Sequence, residues 1–310
     1  MNILVTGGAG FIGSHVCDKL LKRKEKVICL DNFNDYYDPN IKENNIAHNL
    51  SNPNFKLYRE DILNFNSLDN ILVTEKIDKI IHLAARAGVR PSIKDPFLYQ
   101  EVNIKGTLNL LELTRKYKIQ NFVFASSSSV YGNRENGPFK ETDNVDNPIS
   151  PYAMTKKAGE LLCYTYHHLY RLNVSCLRFF TVYGPRGRPD MAPLMFTDKI
   201  AKGQEIEVYG EGNTKRDYTY VSDIVNGVIS ALDHNYSYEI FNLGGGNPVD
   251  LNYFISLIER ETGKKALRKQ LPLQQGDVGI TSADVSKAER MLGYKPKVRI
   301  EEGIKKLVEW

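Results

Sequence analysis

Residues 1–13 read MNILVTGGAGFIG, a short apolar run followed at once by three regularly spaced glycines. The apolar run, Asn2 to Thr6, is typical of a strand that is buried on both faces of a parallel sheet. Gly7, Gly10 and Gly13 recur every third residue. In this pattern the first glycine permits a tight turn, the second lets the backbone approach a pyrophosphate, and the third lets the next helix lie close to the strand. The stretch therefore predicts a strand, a phosphate-binding turn and a helix.

The second predicted strand indicates which ligand this turn binds. A helix pattern over about 14–24 leads into an apolar run at 26–30, which ends in Asp31. An acidic residue about twenty positions after the glycine turn hydrogen-bonds the adenosine ribose in dinucleotide-binding folds. Because a carboxylate at this place repels a 2′-phosphate, NAD is expected in preference to NADP. The amide groups and the positive dipole end of the helix would bind the phosphates.

Length, charge and composition exclude several classes of partner. The 310 residues carry 41 basic and 37 acidic side chains, a net charge of +4, without a concentrated basic block, so nucleic acid is not an expected partner. No run approaches the roughly 18 apolar residues of a membrane span, and no signal peptide precedes the first strand, which predicts a cytoplasmic protein. Four cysteines without metal-type spacing are expected to be reduced core residues, with no bound metal: Cys17, Cys29, Cys163 and Cys176.

Strand and helix patterns alternate through the first half of the chain, which predicts a doubly wound parallel sheet. Further strands are expected at 55–59, 79–83 and 121–125, and helices at 103–117 and 153–171. Residues 32–45 are polar and are expected to form a loop on the adenosine side of the cofactor. Asp61, after the third strand, either accepts from the adenine amino group or caps a helix. Ala84 and Ala85, after the fourth strand, leave room for the cofactor to cross the sheet.

The residues with chemical function follow the fifth strand. Ser126 to Ser129 stand at its carboxyl end, where open α/β sheets place their active sites. Tyr152 and Lys156 come next, four positions apart at the start of a predicted helix, so that both side chains lie on one face. A phenol with a pKa of about 10 is a poor base at neutral pH. A nearby ammonium group and a positive nicotinamide ring are expected to bring that pKa toward the working range.

Taken together, these strings resemble a known family. The combination of TGGAGFIG, Asp31, Asp61, HLAA, SSSSVYG and YAMTK is similar to the extended short-chain dehydrogenase/reductase superfamily. The later strings RFFTVYGP, RDYTYVSD, FNLGGG and QQGDV extend the resemblance to nucleotide-sugar 4-epimerases over essentially the whole chain, and RFFTVYGPRGRPDMAP most resembles the UDP-glucuronate 4-epimerases. The resemblance implies that tightly bound NAD oxidises a UDP-sugar at carbon 4, and that the keto sugar turns and is reduced on its other face.

The resemblance also implies roles for single residues. Tyr152 would exchange the proton of the sugar 4-hydroxyl, Lys156 would bind the nicotinamide ribose, and Ser127 would hydrogen-bond the same hydroxyl. Ser128 and Ser129 are neighbours whose individual shares stay open, with Ser129 counted among the catalytic residues. Besides the glycines, alanines and acidic residues above, implied cofactor contacts are Phe11, Ile12, Asn32, Ile62 and Leu83. Implied substrate contacts are Arg90, Ser127, Ser128, Thr181, Arg216 and Asp277.

The identity of the sugar depends on two short segments. Arg186 and Arg188 follow the strand that would border the sugar pocket, and a guanidinium there can form paired hydrogen bonds with a carboxylate at carbon 6. The resemblance points to Arg188 for this role, and hence to the conversion of UDP-glucuronate to UDP-galacturonate. Thr281 and Ser282 stand where galactose-type epimerases have bulky aromatic residues, which predicts a roomier pocket. Epimerases of UDP-N-acetylglucosamine or UDP-glucose therefore stay as alternatives.

Other classes of protein share parts of this pattern. The 4,6-dehydratases and the decarboxylases that form UDP-xylose carry an acidic residue in the segment that here contains only serines, Ser126 to Ser129. A 4-keto-sugar reductase would release its cofactor and favour NADPH, against which Asp31 argues. A non-catalytic NAD-sensing protein would lack the tyrosine and lysine pair. An epimerase agrees best with these residues.

Two lobes and a dimer complete the prediction. Residues 1–178 are expected to form a Rossmann-type NAD-binding domain, to which 217–245 return, whereas 179–216 and 246–310 form a smaller α/β substrate-binding lobe. No clean linker is expected between them. The two helices that flank the fifth strand pair in the resembled family as a dimer-forming bundle, which implies a homodimer. Alternatively, these two helices pack in the internal core of a single chain and form no dimer contact.

Overall fold

The computed structural model describes residues 1–272 and 276–310 as a chain of alternating strands and helices. The strands are β1 (Asn2–Thr6), β2 (Lys26–Asp31), β3 (Phe55–Arg59), β4 (Lys79–His82), β5 (Asn121–Ser127), β6 (Val174–Phe179), β7 (Thr181–Tyr183), β8 (Glu205–Tyr209), β9 (Lys215–Tyr220), β10 (Tyr238–Leu243), β11 (Pro248–Asp250) and β12 (Leu267–Leu271). The helices are α1 (Phe11–Lys22), α2 (Pro39–Ile46), α3 (Phe65–Glu75), α4 (Val89–Lys94), α5 (Pro96–Gln100), α6 (Gly106–Lys116), α7 (Pro151–Tyr170), α8 (Ala192–Ala201), α9 (Val221–Asp233), α10 (Leu251–Thr262), α11 (Ser286–Leu292) and α12 (Ile300–Glu309). Throughout these described ranges, each helix is too short or too polar to cross a membrane.

Seven parallel strands form the central sheet in the spatial order β3-β2-β1-β4-β5-β6-β10. The first six follow the order of dinucleotide-binding folds, in which the chain changes direction between the first and fourth strands. Successive residues of β1 enter different parts of the core: Ile3 and Val5 pack on the side of α1 and α9, and Leu4 packs on the side of α3, α6 and α7. The predicted doubly wound, Rossmann-type sheet is confirmed.

A short helix, α2, replaces part of the loop expected after β2. The Asp38 carboxylate accepts a hydrogen bond from the Asn40 backbone N–H at 2.9 Å, and Pro39 takes the first helical position. Both features start a helix, because the cap satisfies a free amide and proline has none to satisfy. Residues 39–46 are therefore helical, although their polarity predicts a loop.

The helix expected at 103–117 begins as α6 only at Gly106, after a π-helical segment, Glu101–Lys105. Within this segment the Asn103 side chain accepts from the Arg86 N–H at 2.8 Å and donates to the Arg86 carbonyl at 3.0 Å. It also lies 3.0 Å from the Thr155 hydroxyl of α7. The irregular turn therefore joins the chain after β4 to the helix that carries the predicted tyrosine and lysine.

Two smaller sheets lie outside the central one. Strands β11, β9 and β7 form a three-stranded sheet, and β12 and β8 form a parallel pair. Residues 217–220, assigned in the sequence analysis to the return toward the central sheet, lie instead in β9. The buried Asp217 carboxylate of β9 accepts backbone N–H bonds from Gly245 at 2.6 Å and Ala283 at 2.9 Å, which joins this strand to the segment that follows β10 and to the chain near residue 283. The return begins with α9 and ends with β10, which pairs with β6.

Candidate active site

A cleft of about 770 Å³ is lined by the carboxyl ends of the central strands and by parts of β7, β8 and β9. Open α/β sheets bind their ligands at this edge. The predicted site residues that line it are Gly7, Gly10, Phe11, Ile12, Gly13, Asp31, Asn32, Asp61, Ile62, Leu83, Ala84, Ala85, Arg90, Ser127, Ser128, Ser129, Tyr152, Lys156, Thr181, Arg188, Arg216 and Asp277. Strand order thus brings residues from both ends of the chain into one cavity.

Arg186 was expected to be a substrate contact, but it lies outside the cleft. Its backbone is left-handed, with a φ of 62°, and its guanidinium forms an ion pair with Asp18 of α1 at 2.9 Å. This pair holds the loop after β7 against α1. Arg188, two residues later, is the arginine of this segment that reaches the cleft.

The glycine turn has the backbone geometry of a phosphate-binding loop. Gly7 has a φ of 68°, which residues with a Cβ rarely adopt, and a Cβ at Gly13 would lie 2.1 Å from the Gly7 carbonyl oxygen. Glycine at position 13 therefore lets α1 start directly against β1. Among the described residues, no side chain caps α1 at Gly10. The amide groups of its first turn are thus available to an anionic ligand.

Asp31 ends β2, and its carboxylate contacts three groups of the protein. Oδ1 accepts from Lys42 Nζ at 2.9 Å and from the Phe33 N–H at 3.0 Å, whereas Oδ2 accepts a long bond from the Ala9 N–H, at 3.3 Å. Oδ2 therefore keeps acceptor capacity for a ribose hydroxyl. Lys42 belongs to α2, and sequence reasoning missed it because that segment was expected to be a loop.

Asp61 lines the cleft but does not cap α3. The cap is Asn64, whose side chain accepts from the Ser67 N–H at 3.3 Å. Asp61 instead accepts from the Leu63 N–H at 2.8 Å and from the Asn32 side-chain amide at 2.7 Å. The capping alternative for Asp61 is therefore wrong, and its contact with adenine stays a prediction.

Tyr152 and Lys156 lie one turn apart near the start of α7, as their spacing predicts. Burial raises the pKa of Tyr152, and the hydrogen bond with Ser127 and the charge of Arg188 lower it only in part. The Lys156 ammonium donates to the Ala125 carbonyl at 2.7 Å, and burial lowers its pKa from 10.5 to about 8. Burial is thus the largest influence on the pKa of Tyr152 in the chain by itself, and the expected lowering of that pKa by Lys156 together with the nicotinamide ring stays a prediction.

The serines at the end of β5 have two different surroundings. Ser127 Oγ lies 3.2 Å from Ser129 Oγ and accepts from the Ser129 N–H at 3.1 Å, and both residues line the cleft. Ser126 Oγ donates to Glu160 at 2.6 Å, and Glu160 accepts two bonds of 2.8 Å from Arg178 of β6. Sequence reasoning missed Glu160 and Arg178. The available signal was the position of Glu160, which continues the four-residue spacing of the tyrosine and lysine before it.

Two arginines of the cleft are already paired with carboxylates. Arg188 Nε donates to Asp190 at 3.0 Å, and Arg188 Nη2 lies 3.1 Å from the Tyr36 hydroxyl. Arg90 forms an ion pair of 3.0 Å with Asp277, so two of the predicted substrate contacts bind each other. The two glutamines of the QQGDV string lie outside the described residues. Asp190 and Tyr36 were not predicted.

The remaining substrate-side predictions lie on and beside the three-stranded sheet. Thr181 begins β7, and Arg216 of β9 donates to a backbone carbonyl of its own strand at 3.0 Å. Burial lowers the pKa of Arg216. Thr281 lines the cleft, whereas Ser282 packs against Gly137. Of the two small residues that predict a roomier pocket, only Thr281 therefore lines the cleft.

The strand order, the glycine turn and the adjacent tyrosine, lysine and serine define an enzyme of the short-chain dehydrogenase/reductase type. Residues 4–307 match the family model described as GDP-mannose 4,6 dehydratase, and the chain belongs to this family. The resemblance to the extended short-chain dehydrogenases/reductases is confirmed.

Similar proteins of this family include several 4-epimerases. The chain is 49% identical to UDP-glucuronate 4-epimerase of Thermodesulfobacterium geofontis, over 99% of this chain and 95% of that protein. It is similar to the crystal structure of UDP-glucuronic acid 4-epimerase from Bacillus cereus in complex with UDP-glucuronic acid and NAD, with a TM-score of 0.95 and 39% identity, covering 100% of this chain and 98% of that one. For UDP-glucose 4-epimerase of Thermotoga maritima with UDP-glucose, the TM-score is 0.90 and the identity 36%, with the same coverage.

Proposed function

We propose that the chain is an NAD-dependent isomerase that converts UDP-glucuronate to UDP-galacturonate by epimerisation at carbon 4. The observation that carries this proposal is the presence of Tyr152, Ser127 and Arg188 in one cleft with the glycine turn. The tyrosine and serine suit proton exchange with a sugar hydroxyl, and the arginine suits an acid group at carbon 6. The similarity to UDP-glucuronate 4-epimerases supports the same substrate.

The residues at the amino end of α1 fit NAD. A Cβ at Gly10 would lie 3.2 Å from the Gly7 carbonyl oxygen, so glycine keeps this backbone open to a pyrophosphate, and Asp31 Oδ2 can accept from the ribose. When bound, NAD supplies the acceptor and later the donor of a hydride at carbon 4, and a positive charge that favours the tyrosinate form of Tyr152. Lys156 would hold the nicotinamide ribose. Because each cycle restores the oxidised cofactor, we expect NAD to copurify.

Proton exchange is the task of the chain's own residues. Tyr152 takes the proton of the sugar 4-hydroxyl, while Ser127 hydrogen-bonds the same oxygen, and the carbon becomes a ketone. The keto sugar turns about its bond to the diphosphate and would be reduced by hydride on the other face of carbon 4, while Tyr152 returns the proton to the oxygen at that carbon. Because the sugar must turn, the UDP portion has to contribute most of the binding free energy. We assign this portion to Arg216 and to the Arg90–Asp277 pair.

The surroundings of the serine cluster favour epimerisation over dehydration. In the related dehydratases, an acidic residue in this segment takes part in proton transfer at carbon 5. Among the described residues, the carboxylate bonded to this cluster is Glu160, and its oxygens accept from Ser126 and Arg178 at 2.6 to 2.8 Å. A buried carboxylate occupied in this way is not available to the sugar. The keto sugar is therefore left to be reduced again.

The direct test uses the purified chain without added NAD. The protein is incubated separately with UDP-glucuronate, UDP-glucose and UDP-N-acetylglucosamine, and the products are separated by chromatography. Formation of UDP-galacturonate is the expected result. Preferential conversion of another sugar would replace the proposed substrate with that alternative. No conversion, with no NAD released by denaturation, would favour a reductase that exchanges its cofactor.

Replacement of Tyr152 by Phe removes the group that exchanges the proton. The kcat value is expected to fall by a factor of about a thousand or more, within the range of general acid–base catalysis. The NAD content, measured after denaturation, should stay unchanged, because a single oxygen is deleted. Tyr253→Phe, on the exposed side of α10, is the matched control and should keep its activity. An active Tyr152→Phe enzyme would contradict the mechanism.

Replacement of Arg188 by Ala tests the choice of sugar. The KM value for UDP-glucuronate is expected to rise about 10- to 100-fold, because hydrogen bonds to charged groups contribute roughly 1.5 to 3 kcal/mol. The KM value for UDP-glucose should change much less, since that sugar has no carboxylate. Arg260→Ala, at an exposed position of α10, is the control for loss of a surface charge. Equal changes for both sugars would remove the carboxylate role of Arg188.

We also propose that the enzyme is a cytoplasmic homodimer. The inner faces of α6 and α7 are buried in the core, but their outer faces leave Leu108 and Leu161 exposed, as is Phe97 of the neighbouring α5. A second copy of the chain would cover these apolar side chains. The four cysteines are buried and unpaired, which suits a reducing compartment.

A further inference from the structure

The arginine that we assign to the substrate carboxylate already holds a carboxylate of the chain itself. Arg188 Nε lies 3.0 Å from Asp190 Oδ1, and Arg188 Nη2 donates to Asp190 Oδ2. The same Nη2 lies 3.1 Å from the Tyr36 hydroxyl, which donates to the Ala87 carbonyl at 2.8 Å. Two N–H groups of the guanidinium are therefore used in the paired geometry that a bound sugar acid would need.

The two members of this ion pair differ in burial. The exposed fraction of the side chain is 17% for Arg188 and 42% for Asp190. The Asp190 carboxylate can therefore turn into water for the loss of its bonds to Arg188 and to the Tyr36 hydroxyl, which lies 3.2 Å away, whereas a largely buried guanidinium without a carboxylate partner is destabilised. Asp190 is the member that can move, and Arg188 is the member that always needs a partner.

Epimerisation places a particular demand on such a pair. The ring has to present both faces of carbon 4 to the same hydride acceptor, so a carboxylate at carbon 6 has to leave Arg188 when the keto sugar turns. A permanent ion pair would hold the sugar in one orientation, which favours binding at the expense of turnover. Without any replacement, the departing carboxylate would also leave the largely buried Arg188 without a counter-charge, with the Tyr36 hydroxyl as its neighbour.

We infer that Asp190 is the exchange partner of the substrate carboxylate. It pairs with Arg188 in the free enzyme and while the sugar turns, and the carboxylate at carbon 6 displaces it in each of the two bound orientations. This inference rests on the proposed function and adds a residue that sets specificity and turnover without touching the reacting atoms. UDP-glucose has no carboxylate, so it leaves the Arg188–Asp190 pair intact.

Asp190→Asn keeps the shape of the side chain and removes its charge. The binding measurement is made by calorimetry in a Tyr152→Phe background, which stops turnover. The Kd for UDP-glucuronate is expected to be about 5- to 20-fold lower in the double variant than with Tyr152→Phe alone, because the competing carboxylate of Asp190 is gone. The Kd for UDP-glucose should change by less than about twofold. With Tyr152 intact, kcat and KM for UDP-glucuronate should fall together, and more of the cofactor should be reduced at steady state.

Two further variants separate charge from structure. Asp190→Glu keeps the charge and is expected to return the Kd for UDP-glucuronate toward that of the parent. Asp198→Asn removes an exposed carboxylate of α8 that pairs with Lys202, and it should change neither Kd. If Asp198→Asn lowered the Kd for UDP-glucuronate as much as Asp190→Asn, a general change of surface charge would explain the result and the inference would be wrong.

The failure of this inference can be told apart from the failure of the proposed function. An Asp190→Asn enzyme whose Kd for UDP-glucuronate is unchanged or higher overturns the exchange role. If Arg188→Ala still weakens the binding of UDP-glucuronate more than that of UDP-glucose, the proposed function stands without the exchange role of Asp190. If the proposed function itself is wrong, the unmodified enzyme will not convert UDP-glucuronate.

Discussion

Lys42 Nζ lies 2.9 Å from Asp31, and both side chains are almost fully buried. The pair joins α2 to the end of β2, where the carboxylate is expected to select NAD. A carboxylate repels a 2′-phosphate and an ammonium group attracts one. The preference for NAD therefore depends on the charge of Asp31 outweighing that of its neighbour.

Replacement of Asp31 by Ser is expected to weaken NAD binding about tenfold or more and to let NADP bind, because Lys42 loses its counter-charge. Titration of the protein with each dinucleotide, and analysis of the nucleotide released on denaturation, measure the change. Asp35→Ser, at an exposed position of the same segment, should leave both affinities unchanged. Continued rejection of NADP by the Asp31 variant would show that Lys42 does not face the ribose.

At the scale of elements, a buried ion pair joins α7, β5 and β6 behind the serine cluster. Glu160 and Arg178 are each 1% exposed, and Arg178 also donates to the Tyr131 hydroxyl at 3.0 Å. Tyr131 in turn donates to Asn242 of β10 at 2.7 Å. The helix that carries Tyr152 and Lys156 thus shares one network with three strands, so loss of this network would affect both the stability of the fold and the geometry of the cleft.

Arg178→Met would leave the Glu160 carboxylate buried without a cation. The free energy of unfolding, measured with urea, is expected to fall by about 3 to 5 kcal/mol. A second change, Glu160→Leu, should restore part of the loss, because the unpaired charge is then gone. Arg260→Met breaks an exposed pair with Glu261 and should cost about 1 kcal/mol or less. A loss of that small size for Arg178→Met would contradict a buried, unpaired charge.

At the scale of the whole molecule, the outer surface of α5, α6 and α7 is the candidate contact between two copies. Phe97 is 81% exposed and Leu161 is 55% exposed, whereas the opposite faces of α6 and α7 are in the core. Burial of such side chains contributes about 25 cal/mol per Å². One face of these helices thus packs in the core while the other leaves an apolar surface. Packing in the core and pairing in a dimer, the two alternatives expected from the sequence, therefore do not exclude each other.

Leu161→Glu is expected to convert the proposed dimer to monomers at micromolar concentration, because it places a charge from each copy in an apolar contact. Sedimentation measures the change in mass. Leu267→Glu, at a similarly exposed leucine of β12, is the matched control and should leave the dimer intact. A parent protein that sediments as a monomer would contradict the homodimer.

Short-range patterns made the fold and the centre of the site predictable. The strand, turn and helix around Gly7, the position of Asp31 and the spacing of Tyr152 and Lys156 each depend on residues within about twenty positions of one another. Backbone geometry acts over such distances, because it sets the glycine requirement, the apolar strand pattern and the helical repeat. The doubly wound parallel sheet then followed, since alternating strands and helices allow few arrangements.

Tertiary structure alone decided which charged groups meet. Attraction between charges depends on their distance and burial after folding, and separation along the chain carries little of that information. Arg186 therefore pairs with Asp18, while Arg188, two residues away, lines the cleft and binds Asp190 beside Tyr36. The sequence by itself determined the doubly wound sheet, the turn for the cofactor and the tyrosine–lysine pair. The folded chain decided which arginine lines the cleft and which carboxylate it holds.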